Sequence, residues 1–391
     1  MKIAILTSGI LPVPSVQGGA VENLTDFYLE YNHTHCLHDI TVYSVYHPEA
    51  KRLASQRTGV NHYHFIKTDG LMARIKRRLY THLHPRGMHN YFIEYFLEEC
   101  YSHLRKQNYD CVILENRPGY AYKLSQRGIK NIVLHLHNDL LNSETPHHEE
   151  IFNSLRKVLT VSDYIKGRVS SISPNSKIQT IHNGIDLKSF SRKETIPINR
   201  KDLGFNDDDF VMIFSGRINK DKGIAELIDA ILLLKDLPNI KLMIIGSTFF
   251  GNATTENNFV RNLKDKAKAI EKNLVFTGFV PYDQMPYYLQ LADIAVIPSI
   301  WNDPFPTTVL EAQAMGLPII ASNSGGIPEE IGQGNAIIIP TGENFIPQLA
   351  DAIRHLLQHP EERVKMSTAS LQRAAYFAKE RFAKDLFDAI E

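Results

Sequence analysis

The stretch Trp301-Asn-Asp-Pro-Phe-Pro-Thr-Thr-Val-Leu-Glu-Ala-Gln-Ala-Met-Gly-Leu-Pro-Ile-Ile320 decides the fold. It follows one short apolar run, Ile294-Ala-Val-Ile297, and ends in another, Pro318-Ile-Ile-Ala321. Between them lie a loop stiffened by Pro304 and Pro306, a helix that Thr308 can cap, and Gly316, the residue type that stops a helix in the left-handed conformation. Run, loop, helix and run make a βαβ unit. Apolar runs without polar alternation belong to strands buried on both faces of a parallel sheet.

The alternation continues in both directions. Val211-Met-Ile-Phe214, Lys241-Leu-Met-Ile-Ile245, Leu274-Val-Phe276 and Ala336-Ile-Ile-Ile339 are further strands of the same sheet. A polar segment around Ser191 to Asp209 separates them from an earlier series. That series is Ile3 to Leu6, Ile40 to Tyr43, Asn61 to Phe65, Cys111 to Leu114, Ile132 to Leu134, Val158 to Thr160 and Ile178 to Ile181, with a first helix over about Gly19 to Tyr31. The fold class is therefore α/β, with two Rossmann-like domains predicted over residues 1–190 and 191–370. A helical pattern over 371–391 is expected to pack back on the first domain. Ligands of such folds bind beyond the carboxyl ends of the strands, so the chemistry is sought in strand-end loops facing a cleft.

Composition narrows the function. The chain has 391 residues, 43% hydrophobic and 22% charged, which is ordinary for globular domains with large cores. Lys+Arg and Asp+Glu are equal at 43 each, so no overall basic field is present to hold nucleic acid. Cys36, Cys100 and Cys111 are too few for a disulfide framework and suit a reducing compartment. The apolar run after Lys2 is too short for a signal peptide, and no stretch reaches the ~18 apolar residues of a spanning helix. A cytoplasmic protein is expected. Asp207-Asp208-Asp209 reads as a polar turn before a strand, and His33, His35, Cys36 and His38 straddle a helix end. Neither suits a metal, so no metal and no cofactor are expected.

Four constellations carry the chemistry. In the opening stretch, Glu311 stands three residues after Thr308, which fits a capping box. A carboxylate there can equally accept hydrogen bonds from a ribose diol, and the helix N-terminus is a seat for phosphate. Ser215-Gly216-Arg217 with Lys222-Gly223 closes another strand; the two cations suit a diphosphate, or a solvated turn. Gly18-Gly19 before the first helix lets backbone approach a phosphate, or makes an ordinary turn. Leu134-His-Leu-His-Asn-Asp139 puts His135 and His137 on one side of a strand end, for a sugar hydroxyl or for a structural hydrogen bond.

The order of these pieces resembles the retaining glycosyltransferases of family four, which have the GT-B fold, and the resemblance covers nearly the whole chain. It rests on Gly18-Gly19-Ala20 with Glu22, His38 to Val42, His137-Asn138, Val161-Ser162, Asn183-Gly-Ile-Asp186 with Phe190, Gly216-Arg217 with Lys222-Gly223, Phe305, Glu311 to Gly316, and Gly325-Gly-Ile-Pro-Glu329. The resemblance implies a hexosyltransferase of bacterial polysaccharide type that takes a nucleotide sugar, expected to be a uridine diphosphate sugar, without a metal. It implies catalytic roles for His137, Arg217, Lys222 and Asp303. Gly18, Gly19, Arg217, Lys222, Phe305, Thr307, Thr308 and Glu311 would bind the donor. Two departures stand out: Asp303 is one methylene shorter than the family's glutamate, and Pro306 replaces a glycine and so removes an N–H.

The partners implied are a nucleotide-sugar donor and a glycan or lipid-linked acceptor. Arg74, Lys76, Arg77 and Arg78, with Leu71, Met72, Ile75 and Leu79, form a basic amphipathic pattern suited to the anionic inner face of the cell membrane, or to a solvated helix face. Three other functions compete. A nucleotide-sugar epimerase of similar shape would need no acceptor. An NAD-dependent oxidoreductase lacks its Gly-x-Gly-x-x-Gly, and a non-catalytic subunit would have no need of Arg217, Lys222 and Glu311.

Overall fold

Every apolar run becomes a strand in the computed structural model, which describes residues 1–57, 59–76, 91–174, 176–247 and 258–391. The first sheet holds β1 (Lys2–Leu6), β2 (Asp39–Val45), β3 (Asn61–Ile66), β4 (Cys111–Glu115), β5 (Ile132–Leu136), β6 (Lys157–Thr160) and β7 (Ile178–Thr180). The second holds β8 (Phe210–Ser215), β9 (Ile240–Ile245), β10 (Leu274–Gly278), β11 (Ile294–Ile297), β12 (Ile319–Ser322) and β13 (Ala336–Ile339). All pairings are parallel. The burial explains the missing alternation: β4, β5 and β11 are buried at every position, as strands covered on both faces must be.

Spatial order fixes where ligands can go. The first sheet runs β3-β2-β1-β4-β5-β6-β7 and the second β10-β9-β8-β11-β12-β13. Each grows one way, then returns to the middle and grows the other way. The reversals fall between β1 and β4 and between β8 and β11, where successive loops diverge and leave a crevice.

Two compact units result, Met1–His182 with Phe382–Glu391, and Asn183–Arg381. The boundary expected at 190 lies earlier, at 182/183, because Asn183 and Ile185 are held by unit-two groups. Asn183 Nδ2 donates to the Phe305 carbonyl at 3.1 Å, and Ile185 N–H to the Phe377 carbonyl at 2.7 Å. The returning segment is shorter than the expected 371–391. The helix Pro360–Tyr376 belongs to the second unit, tied by Ser370 Oγ to the Leu317 carbonyl (2.7 Å) and by Arg373 to the carbonyls of Glu329 (2.6 Å) and Glu330 (2.9 Å). Only the later part of the last helix, Lys379–Ile390, joins the first core, where Phe382, Leu386, Phe387 and Ile390 pack with Ile3, Leu24, Tyr28 and Val42. The first helix, Ala20–His35, runs a turn beyond the expected Tyr31. Asn32 carries it there: fully buried, it donates to Asn61 Oδ1 (2.7 Å) and the His38 carbonyl and accepts from the His38 N–H.

Candidate active site

The second unit's crevice is built from the loops after β8 and β11. The N–H groups of Ile300 and Trp301 both point at the Asp221 carbonyl, at 3.0 and 3.4 Å. Gly223 has φ +69, and a Cβ there would lie 1.8 Å from the Pro298 carbonyl oxygen, so only glycine lets the two loops close. That approach brings the Lys222 ammonium onto the carboxylate of Asp303. The loop after β12 holds Asp303 from behind: Gly326 N–H donates to its carbonyl at 2.7 Å, and Gly325, at φ +58, leaves no room for a side chain. Arg217 is exposed on the β8 loop beside Gly216, whose φ is +141.

The helix Thr307–Ala314 starts at this crevice, with Pro306 at its N-cap. The expected Thr308–Glu311 capping box is not formed. The helix begins two residues too early for it, which makes Glu311 a fifth-position residue and pairs its carboxyl with the Thr307 hydroxyl, one turn back. Burial pushes the Glu311 carboxyl up to about 7, and the Thr307 hydrogen bond only partly offsets it. Phe305 is buried edge-on against Phe377, with ring centroids 5.8 Å apart, so its side chain is a core anchor for the loop. Glu330, absent from the expected site, is fully buried, and its carboxyl has no hydrogen-bond partner among the described residues. Burial first, then the charges of Asp303 and Glu329, push it well above the ordinary carboxylate range.

The first unit's crevice uses the same topology with different side chains. Arg117 Nε, just after β4, donates to the Ser8 carbonyl on the β1 loop at 2.9 Å and ties the two loops together. Gly19 is the N-cap of the first helix at φ +118, and a Cβ there would lie 2.3 Å from Glu22 Oε2. Glu22 folds beneath it and accepts from Ser8 Oγ at 3.2 Å. Burial pushes its carboxyl up to about 7 against those hydrogen bonds. Gly18 also has positive φ, at +74.

A buried proton network lies alongside. Glu115, the last residue of β4, has no exposed surface. Its carboxylate accepts from Tyr28 Oη (2.8 Å), His135 Nδ1 (3.1 Å) and His137 Nε2 (3.0 Å). Burial pushes this carboxyl up, but the His135 charge and the two histidine hydrogen bonds outweigh it and hold Glu115 well below the ordinary range. His137 is pushed down to about 4, by burial first and then by His135, so its ring is neutral near pH 7. His135 and His137 lie on one side, with centroids 4.1 Å apart. Among the described residues, Glu115, His135 and His137 are the group whose ligand atoms, within 4.8 Å of one another, could hold a metal ion, and the Glu115 carboxylate, His135 Nδ1 and His137 Nε2 are engaged in the hydrogen bonds just given. Asp207 to Asp209 form a turn, with Asp209 accepting from the Asn206 N–H at 2.7 Å. His33 and Cys36 are exposed, whereas His38 is buried against Phe387, so those four residues do not converge.

Residues 37–189 match the family model described as Glycosyltransferase Family 4, and residues 195–373 match Glycosyl transferases group 1. The chain is 31% identical to spore coat protein SA of Bacillus subtilis (strain 168), over 100% of this chain and 99% of that one. It belongs to glycosyltransferase family 4. It is also 27% identical to a lipopolysaccharide 1,2-N-acetylglucosaminetransferase of Salmonella typhimurium, over 66% of this chain and 68% of that one. Among solved folds it resembles Anabaena HepE, crystallised with UDP-glucose, at TM-score 0.73 and 19% identity over 99% of this chain and 98% of that one.

The protein is thus a GT-B glycosyltransferase, and the expected site residues sort by unit. Arg217, Lys222, Asp303, Thr307, Thr308 and Glu311 lie on the two loops, and the helix they feed, at the second reversal; Gly18, Gly19 and His137 lie at strand and loop ends of the first sheet. Sequence reasoning missed Glu115, Arg117 and Tyr28. One signal was available. Glu115 ends the run Cys111-Val-Ile-Leu114, and a carboxylate closing a fully buried strand needs partners.

Proposed function

We propose that this glycosyltransferase retains anomeric configuration and moves a sugar from a uridine diphosphate donor to a glycan or lipid-linked acceptor in surface polysaccharide synthesis, without a metal. The observation that carries the reading is Lys222 held on Asp303 at the β8/β11 reversal, beside the first turn of the helix Thr307–Ala314. As the bond from the sugar's C1 to the phosphate oxygen breaks, negative charge grows on the diphosphate. Arg217, Lys222 and the helix N–H groups at Thr307 and Thr308 are the local positive charges able to meet it. Glu311 would accept the ribose hydroxyls and His137 would touch the donor sugar. The acceptor hydroxyl attacks from the face the phosphate leaves, and its proton passes to that phosphate. Uridine is favoured by the HepE complex with UDP-glucose, and a glycan acceptor by the lipopolysaccharide-acting relative.

Docking on the inner membrane face is part of the proposal. Leu71, Met72 and Ile75 are exposed apolar side chains on the segment that carries exposed Arg74 and Lys76, and Lys76 is paired with Glu99 at 3.0 Å. Arg77, Arg78 and Leu79 lie outside the described residues. Among the described residues no helix is long and apolar enough to cross a membrane.

The test is a thermal-shift screen of nucleotide sugars run in excess chelator. At ~100 times its dissociation constant a ligand stabilises by about 2.7 kcal/mol. Uridine sugars are expected to raise Tm, and sugar release to require an acceptor extract. A shift with guanosine or cytidine sugars alone, release of free sugar without acceptor, or activity that chelator abolishes and manganese restores would each overturn part of the reading.

A further inference from the structure

His137 is gripped at two points by consecutive residues. Its ring Nε2 lies 3.0 Å from Glu115 Oε2, and its backbone N–H donates to Asn116 Oδ1 at 3.1 Å. An ionised carboxylate only accepts, so Nε2 must carry the hydrogen. The carboxylate is itself held by further contacts. Tyr28 Oη and His135 Nδ1 hold it from other elements, and Phe382 lies against both, 6.3 Å from the Tyr28 ring and 6.1 Å from that of His135. Asn116 sits at φ +63, a conformation unusual for a residue with a side chain and tolerated by asparagine. A buried charge and a strained backbone, both committed to one histidine, suit a residue whose orientation matters.

We propose that Glu115 and Asn116 are positioning residues for His137, fixing its Nε2–H tautomer so that Nδ1 remains a hydrogen-bond acceptor for a hydroxyl of the donor sugar. The inference rests on the reading of His137 as the donor-sugar contact. It adds a demand on the substrate: the sugar must offer a donor, a hydroxyl or an amide N–H, at the facing position. The neutral ring follows from its burial, which holds the imidazole near 4.

The experiment uses the full-length protein with Glu115→Gln, Asn116→Gly and His137→Ala, singly and combined. Glu115→Gln keeps the shape but turns one accepting oxygen into an NH2 donor, so it cannot accept from Tyr28, His135 and His137 together. It is expected to lower kcat by about 10²-fold with KM within about threefold, the pattern of an interaction that matters in the transition state. Imidazole nitrogen NMR is expected to show the Nε2–H tautomer of His137 in the parent and its loss in Glu115→Gln. Asn116→Gly accepts the positive φ while losing the backbone grip, so it keeps the inference testable if Glu115→Gln does not fold; its expected loss is about tenfold in kcat. In a His137→Ala background neither change should cost more. An unchanged tautomer in folded Glu115→Gln, or an undiminished loss in the His137→Ala background, overturns the clamp. Parent-like kcat in His137→Ala overturns instead the reading of His137 itself, whatever the tautomer shows.

Discussion

The two crevices share a topology and differ in their walls. Each lies where a parallel sheet reverses its order, and each has a positive-φ glycine with no room for a side chain and a carboxyl that burial pushes up to about 7. In the second unit the wall is cationic, with Lys222 on Asp303 beside a helix start. In the first it is a carboxylate shared among Tyr28, His135 and His137. A point cation answers charge that develops on a phosphate, while a buried proton network fixes the direction of single hydrogen bonds. The fold supplies two equivalent places; the side chains decide which chemistry each can hold.

The largest effect that sharpens this contrast is expected at Lys222. Lys222→Ala should lower turnover by ~10²–10³, the range seen when one electrostatic stabiliser is removed. It also leaves Asp303, 4% exposed, without its partner, so Tm should fall. Adding Asp303→Ala is expected to restore Tm but not turnover. If the double variant regains turnover as well, the pair is structural and the contrast fails.

A smaller effect is expected from pH. Glu311 is raised from an ordinary 4.5 to about 7 by burial, so its carboxyl is mostly neutral below pH 7 and ionised above. In the proposed role of Glu311 as the ribose contact, only the ionised form accepts fully from both hydroxyls, so UDP affinity should rise about tenfold between pH 6 and 8, one pKa unit being a factor of ten. Its effect on stability has the opposite sense: with a raised folded value, its contribution is complete below 4.5 and is lost as pH climbs through about 7. Calorimetric titration of parent and Glu311→Gln checks this. A pH rise that persists unchanged in Glu311→Gln assigns the titration elsewhere, with Glu22 the next candidate.

How far all this could be read from sequence differs between the crevices in the same way. The strands were legible because doubly covered strands appear as unbroken apolar runs, and the loop ends followed from them. The cationic crevice was legible because its parts sit in contiguous loops, Ser215 to Gly223 and Trp301 to Glu311. The Thr308 capping box was misplaced by two residues, because Pro306 sets the helix start and a local pattern does not give phase to that accuracy. The proton network was not legible. Tyr28, Glu115 and His137 come from the first helix, the end of β4 and the loop just after β5, and only the sheet order brings them together.

The central claim, that the β8/β11 crevice receives the donor diphosphate, is tested most directly at Arg217. Its guanidinium can bridge two phosphate oxygens, a contact that strengthens as charge grows on the leaving group. Turnover and donor dissociation constant should be measured for folded Arg217→Ala and Arg217→Lys. We predict that Arg217→Ala loses ~10²–10³ in turnover with a smaller change in affinity, and that Arg217→Lys recovers part of it. Turnover in Arg217→Ala within about twofold of the parent, as a surface arginine on a turn would give, contradicts the assignment.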